Sequence, residues 1–296
     1  MPDGTGRPRP MDLPEGPLDH AGMQRIPSGR WQVGEEGPTA IPGDSEGPRR
    51  EVTLGAFLID EAAVTNADFA DFVAETGYVT QAETLRWSFV FMAQMHPAAA
   101  IAQEADAMAP EWWVAVRDAC WRRPDGPGTD WRQRPDHPVV HVSAPDAEAF
   151  ARHRGKRLPG ELEWEVAARG GLDGKLYGWG NALTPEGRHM CNIWQGRFPV
   201  ENRGEDGWLS TAPARSFPPN GYGLFNMLGN VWEWTRSPWV EGAEDARVIR
   251  GGSYLCHASY CHRYRVSART WNHPLATSSH LGFRCVADMP GQAPCP

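Results

Sequence analysis

The sequence predicts a compact α+β fold with little regular secondary structure, its core filled by large rings rather than long elements. Three observations carry this. The chain holds 14 tryptophans, an unusual load of large aromatic side chains for a core. It also holds 32 glycines and 27 prolines, which break regular elements into short pieces. Finally, brief alternating stretches and short capped helices follow one another along the chain, with no heptads, no internal repeat and no shift in composition. Residues 21–289 therefore read as one domain between a disordered N-terminal tail (1–20) and a C-terminal tail (290–296).

Taken in order, residues 24–34 alternate like a short strand between turn residues, and 41–50 form a polar loop. Residues 51–60 give the clearest strand, with Val52, Leu54, Phe57 and Ile59 apolar. Its alternation slips at Gly55 and Ala56, which predicts a bulge. Thr65 and Asn66 cap a helix over 67–75 that places Phe69, Phe72 and Val73 at helical spacing and stops at Gly77. Residues 87–95 are aromatic and apolar. The alanine-rich 98–108 stretch reads as a helix or a mobile insert. Trp112, Trp113, Trp121 and Trp131, set among proline, glycine and arginine, predict a packed irregular segment over 110–138. A short strand over 139–142 leads to Ser143, which caps a helix over 144–154; Asp146 closes the capping box and Gly155 ends the helix. A second helix over 161–169 faces the core with Leu162 and Val166 and stops at Gly170 and Gly171. Beyond Tyr177 the chain reads as turns and short strands.

Net charge is −8 and pI about 5.7, which argues against a nucleic-acid or anionic-membrane partner. The N-terminus has no apolar stretch of signal-peptide type and no run is long enough to span a bilayer, so the expected location is the cytoplasm. Thiols stay reduced there. The chain has 6 cysteines, Cys120, Cys191, Cys256, Cys261, Cys285 and Cys295. Cys256 and Cys261 stand out, two thiols in a glycine-led stretch rich in tyrosine, histidine and arginine. Their spacing is neither that of a zinc knuckle nor that of a thioredoxin motif. Two sulfurs are too few for a closed zinc site. Three readings stay open: a two-thiolate copper(I) site, a redox-active pair or a structural disulfide.

Asn192 and Asp206, with neighbouring carbonyls, could hold calcium or simply form Asx-turns. Asn226, Gly229, Val231 and Glu233 could wrap a second calcium, or serve tight turns beside core tryptophans. His137, His141, His257, His262 and His280 lack metalloprotease spacing. The sequence contains no Gly-x-Ser-x-Gly elbow, Walker A loop or dinucleotide fingerprint, so hydrolase, kinase and nicotinamide chemistry find no support.

Read together, GKRLP at 155–159, EWE at 163–165, ARGG at 168–171, NIWQG at 192–196, PPNGYGLFN at 218–226, GNVWEW at 229–234, RGGSYLCHASYCHRYR at 250–265 and LGFRC at 281–285 resemble the formylglycine-generating enzyme (sulfatase-modifying factor) family, bacterial aerobic type. The resemblance runs over residues 23–288. It implies a single compact domain related to C-type lectins. It also implies oxygen-dependent oxidation of a cysteine in a Cys-x-Pro-x-Arg motif of an unfolded sulfatase to formylglycine. Hydrogen would leave the substrate β-carbon, a thioaldehyde would be hydrolysed, and an external thiol reductant would supply the remaining electrons. By motif position Cys256 and Cys261 would be the copper(I) ligands, with Ser253, Trp232 and Tyr260 lining the pocket. Asn192, Ile193, Asp206 and Trp208 would form one calcium site, and Asn226, Gly229, Val231 and Glu233 the other. The expected state is a monomer. Ala151, Ala168 and Val266 stand where some members have disulfide cysteines, which leaves Cys285 without a partner. His280 stands where asparagine is expected, and 143–146 depart from the family pattern. The competing reading is a non-catalytic, lectin-like calcium-binding module of the same fold. A non-heme iron sulfoxide synthase would need a histidine-rich iron domain that this chain does not provide.

Overall fold

The computed structural model describes residues 15–18, 20–102 and 110–289. Most of the expected tails, and 103–108 of the alanine-rich stretch, lie outside them. Strands β1 (Met23–Ile26), β2 (Gly29–Val33), β3 (Arg50–Leu54) and β4 (Phe57–Asp60) come first, followed by helices α1 (Asn66–Thr76) and α2 (Gln81–Leu85). Then β5 (Trp87–Phe91) and β6 (Trp113–Arg117) lead to helices α3 (Ala144–His153) and α4 (Glu161–Arg169). The last third holds β7 (Gly196–Arg197), β8 (Glu201–Asn202), β9 (Trp232–Pro238), β10 (Arg247–Arg250), β11 (Arg269–Asn272), β12 (Leu281–Gly282) and β13 (Val286–Asp288). Two sheets organise the domain, ordered β1-β4-β13 and β11-β10-β9-β12, and three ribbons (β2-β3, β5-β6, β7-β8) surround them. This is an α+β domain with short elements.

The helices form where local chemistry dictates. Thr65 accepts from the Asp68 backbone and Asp68 returns the bond, a capping box, while Gly77 ends α1 at φ 69°. Such a cap contributes about 1 kcal/mol. Ser143 and Asp146 cap α3 in the same way. There Asp146 also accepts from the Tyr78 hydroxyl at 3.0 Å and the Gln81 backbone at 3.1 Å, pinning α3 to the segment before α2. Phe69, Phe72, Phe150 and Phe283 pack face and edge between these helices, with Trp121 edge-on to Phe69; Trp121, Trp164 and Trp234 are fully buried.

Several sequence expectations change. The 24–34 strand is two strands, β1 and β2, parted at Pro27 and Ser28. Residues 51–60 are also two strands rather than one bulged strand: β3 pairs with β2, whereas β4 pairs with β1 and β13. The slip at Gly55 and Ala56 marks a change of sheet. The irregular 110–138 segment contains β6, which pairs along its length with β5. Residues 98–102 are not helical; Ile101 bridges to Val116. No strand forms at 139–142, because His141 adopts φ 62° and the run bonds to two separate segments, Val139 to Val64 and His141 to Ser278. Among the described residues, no helix is long and apolar enough to cross a membrane.

Candidate active site

The loop between β10 and β11 carries the two cysteines. Its entry needs glycine: Gly251 has φ 96° and Gly252 φ 75°. A Cβ on Gly251 would stand 2.8 Å from the Met227 carbonyl, closer than any side chain allows. The loop then turns back on itself. The Cys256 backbone donates to Ser253 at 2.8 Å, and the His257 carbonyl accepts from Cys261 at 2.7 Å. This turn brings the Cys261 and Cys256 sulfurs to 3.0 Å. Both residues are buried and unbridged, and the separation is well beyond a disulfide bond of about 2.05 Å. The disulfide reading therefore does not describe this pair. Cys120, Cys191 and Cys285 are likewise buried and free.

The two sulfurs hold their protons unequally. Cys261 is pushed down to about 7, first by the hydrogen bond from the Cys256 thiol and then, against burial, by the Arg263 guanidinium. Burial and the neighbouring Cys261 push Cys256 well up. Arg263 Nη1 lies 3.8 Å from the Cys261 sulfur. Asp44 holds it there, accepting from Nε at 2.5 Å and Nη2 at 3.0 Å. Sequence reasoning missed this pair, which joins positions 219 residues apart.

The remaining pocket residues take distinct places. The Ser253 backbone donates to the Cys256 sulfur at 3.3 Å, and its hydroxyl meets His280 Nδ1 at 3.0 Å. Trp232 is buried in the same apolar cluster as both cysteines. Tyr260 is 46% exposed; its ring stacks on Phe198 at 4.7 Å, and the edge of Trp112 meets it at 4.9 Å. A recess of about 250 Å³ beside the loop is lined by Cys191, Trp194, Gln195, His257, Ala258 and Tyr264, among others.

The donor set can be tested against copper and calcium. Among the described residues no three histidine, cysteine, aspartate or glutamate side chains converge on a metal position. Two buried soft donors with no third protein ligand suit a two-coordinate monovalent ion and not a four-ligand zinc site. In the first calcium set, the Gln195 amide nitrogen touches both the Ile193 carbonyl and Asp206 Oδ2. Two expected oxygen ligands thus point at one spot, where a cation would replace the amide. Burial raises the Asp206 pKa. Asp206 Oδ1 accepts from the Trp208 backbone at 3.0 Å. Asn192 commits its amide nitrogen to Ser210 and Asn230, which leaves its oxygen as the ligand atom. In the second set Asn226 Oδ1 is buried with no hydrogen-bond partner, as a cation ligand would be. Glu233 is less free than expected, since Arg284 and Trp164 already donate to its carboxylate; by count, Oε1 keeps one lone pair. The donor chemistry of the first set fits calcium at two converging oxygens, and that of the second at the unpaired Asn226 Oδ1.

Fold and site together define a class: α+β domains that present a free dithiol in a glycine-led loop. The chain matches the family described as "Sulfatase-modifying factor enzyme 1-like domain" over residues 11–289. It is 55% identical to the formylglycine-generating enzyme of Thermomonospora curvata, covering 90% of this chain and 93% of that one. It is 46% identical to a mouse protein named inactive C-alpha-formylglycine-generating enzyme 2, covering 94% and 90%. The solved structure of PvdO from Pseudomonas aeruginosa superposes with a TM-score of 0.62 at 21% identity, covering 90% of this chain and 94% of that one, a likeness of fold alone. The chain belongs to the formylglycine-generating enzyme (sulfatase-modifying factor) family.

Proposed function

We propose that this protein oxidises a cysteine of an unfolded sulfatase, within a Cys-x-Pro-x-Arg motif, to formylglycine, using dioxygen and copper(I) held by Cys256 and Cys261. The observation that carries the reading is the pair of buried, unbridged sulfurs at 3.0 Å, on a chain 55% identical to an enzyme named for this product. Copper(I), held by Cys256 and Cys261, would supply oxygen-dependent redox chemistry that side chains lack. The protein's own groups do the rest. The hydrogen bond from Cys256, and then Arg263, lower the Cys261 pKa towards the thiolate form that soft metals require. Trp232, buried in the same apolar cluster as the pair, would help to keep water out, and Tyr260, stacked on Phe198, forms the exposed lip over which an extended peptide enters.

Overall, one substrate thiol, one dioxygen, two protons and two electrons from an external thiol reductant give the aldehyde, hydrogen sulfide and water. Calcium at the Asn192 and Asn226 sets would hold the loops that carry Trp194 and Trp232. Five buried, unbridged cysteines support a reducing compartment, the cytoplasm, and a monomer is the simplest working unit. The test is copper(I)-reconstituted protein incubated in air with a Cys-x-Pro-x-Arg peptide, read by mass spectrometry. Sulfur loss and aldehyde formation are expected, with none from Cys256→Ala or Cys261→Ala. Full conversion by both variants, or calcium binding with no turnover by the native protein, overturns the reading; the second outcome favours the binding module.

A further inference from the structure

We propose that His280 is the positioning residue for Ser253, accepting the proton of its hydroxyl and so fixing the direction in which that hydroxyl faces the cysteine pair. The inference rests on the proposed oxidation for its kinetic meaning, though not for its geometry.

Ser253 is fully buried. Its Oγ accepts the Leu255 backbone N–H at 3.3 Å and lies 3.0 Å from His280 Nδ1. A hydroxyl has one proton and two lone pairs. With one lone pair taken by Leu255, the proton has two acceptors to choose between, Nδ1 and the Cys256 sulfur. The sulfur already takes the Ser253 backbone N–H, and on this proposal the hydroxyl proton goes to Nδ1. An accepting Nδ1 places the imidazole proton on Nε2, the tautomer this proposal requires.

The ring is well held for the task. Its carbonyl accepts from the Trp232 backbone at 2.8 Å, which fixes it to β9. Its face meets the edge of Trp113 at 4.5 Å. Burial, together with the nearby His141, pushes its pKa down to about 3, so it stays neutral and able to accept.

An asparagine here could turn its carboxamide either way and let the hydroxyl donate or accept. A neutral imidazole that carries its proton on Nε2 permits only donation by Ser253. The second Oγ lone pair then stays open beside Cys256, whose sulfur takes the Ser253 backbone N–H. An arriving thiol or amide would meet an acceptor of fixed orientation.

Two measurements on the full chain test this. In the first, nitrogen-15 histidine spectra are recorded for the native protein, with His280→Asn used for assignment. The Nε2–H tautomer is expected, with an Nδ1 resonance that moves in Ser253→Ala. An Nδ1–H tautomer, or a resonance indifferent to Ser253→Ala, overturns the pairing whether or not the protein is active. In the second, copper(I)-loaded protein turns over the peptide. His280→Phe keeps an aromatic ring against Trp113 but removes the acceptor; it should lower kcat about tenfold, the scale of one neutral hydrogen bond, with KM little changed. Ser253→Ala combined with His280→Phe should be no slower than Ser253→Ala alone. Losses that multiply mean that His280 acts independently of Ser253. His280→Asn, which restores an acceptor, should recover most of the loss; if His280→Phe unfolds, the spectra of the native protein and Ser253→Ala decide the pairing. A native protein that converts no peptide sinks the proposed oxidation and the kinetic role with it, while the spectra still decide the hydrogen bond.

Discussion

Glu233 on β9 grips the Arg284 guanidinium with both carboxylate oxygens, to Nε and Nη2 at 2.8 Å each, and neither side chain reaches solvent. Arg284 also donates to the Asp60, Glu61 and Phe225 carbonyls. One guanidinium thereby joins the end of β4 to the loop that carries Asn226. Arg284→Met should destabilise the fold by about 3–5 kcal/mol, because it strands a buried carboxylate. Adding Glu233→Gln should recover part of that loss. Urea unfolding of the native protein and both variants checks this; a single-site loss below about 1 kcal/mol would mean the pair is replaceable by solvent.

Calcium should bind at two loops. Asp206→Ala and Asn226→Ala are each expected to remove one of two sites in a calorimetric titration. At a free concentration a hundredfold above Kd, calcium adds about 2.7 kcal/mol per site to stability. A chelator should therefore lower the unfolding midpoint of the native protein, less so in each variant. An identical midpoint with and without chelator sinks the prediction.

Arg263 is the cation nearest the Cys261 sulfur. Arg263→Met should slow alkylation of Cys261 at pH 7 about tenfold, since an opposite charge a few ångströms away shifts a pKa by about one unit or more. Asp44→Asn, which loosens the arginine, should have a smaller effect in the same direction. Peptide mapping after a short exposure to iodoacetamide resolves Cys261 from Cys256. Equal labelling rates in all three proteins would assign the thiolate to the Cys256 bond alone.

His141 sets an acid limit. It is fully buried, with Nδ1 against the Ser88 hydroxyl and Nε2 against the Pro124 carbonyl, both at 2.7 Å. Burial pushes its pKa from 6.5 down to about 4. A base held below its unfolded value contributes fully above about pH 6.5 and loses that contribution as pH falls towards 4. The displacement is worth about 3 kcal/mol. Urea midpoints measured between pH 7 and 4 should fall less steeply in His141→Gln than in the native protein. Parallel curves would show that other groups govern the acid limit.

What could be seen in the sequence was what local chemistry specifies. Thr65 with Asp68 and Ser143 with Asp146 announce α1 and α3 because a cap needs partners three residues apart. Thr80 with Glu83 carries the same signal for α2, and that one was overlooked. The division of 51–60 at Gly55 could not be read, since β3 and β4 find their partners in different sheets. β6 was hidden because Trp113 to Arg117 are defined as a strand by β5 rather than by their own alternation. At the site, Cys256 and Cys261 could be picked out by spacing and motif. The Asp44 and Arg263 pair and the Gln195 contact could not, because each is made by the fold.

Thr39, Asp44 and Glu46 hold His262, Arg263 and Arg265 from the far end of the chain. A fragment beginning at Glu51 would keep both sulfurs and every element from β4 onward. It would also leave two guanidinium groups uncompensated, that of Arg265 deep in the interior. Trimming the early belt would thus be felt first at the thiols, so redox chemistry at one terminus is answerable to packing supplied by the other.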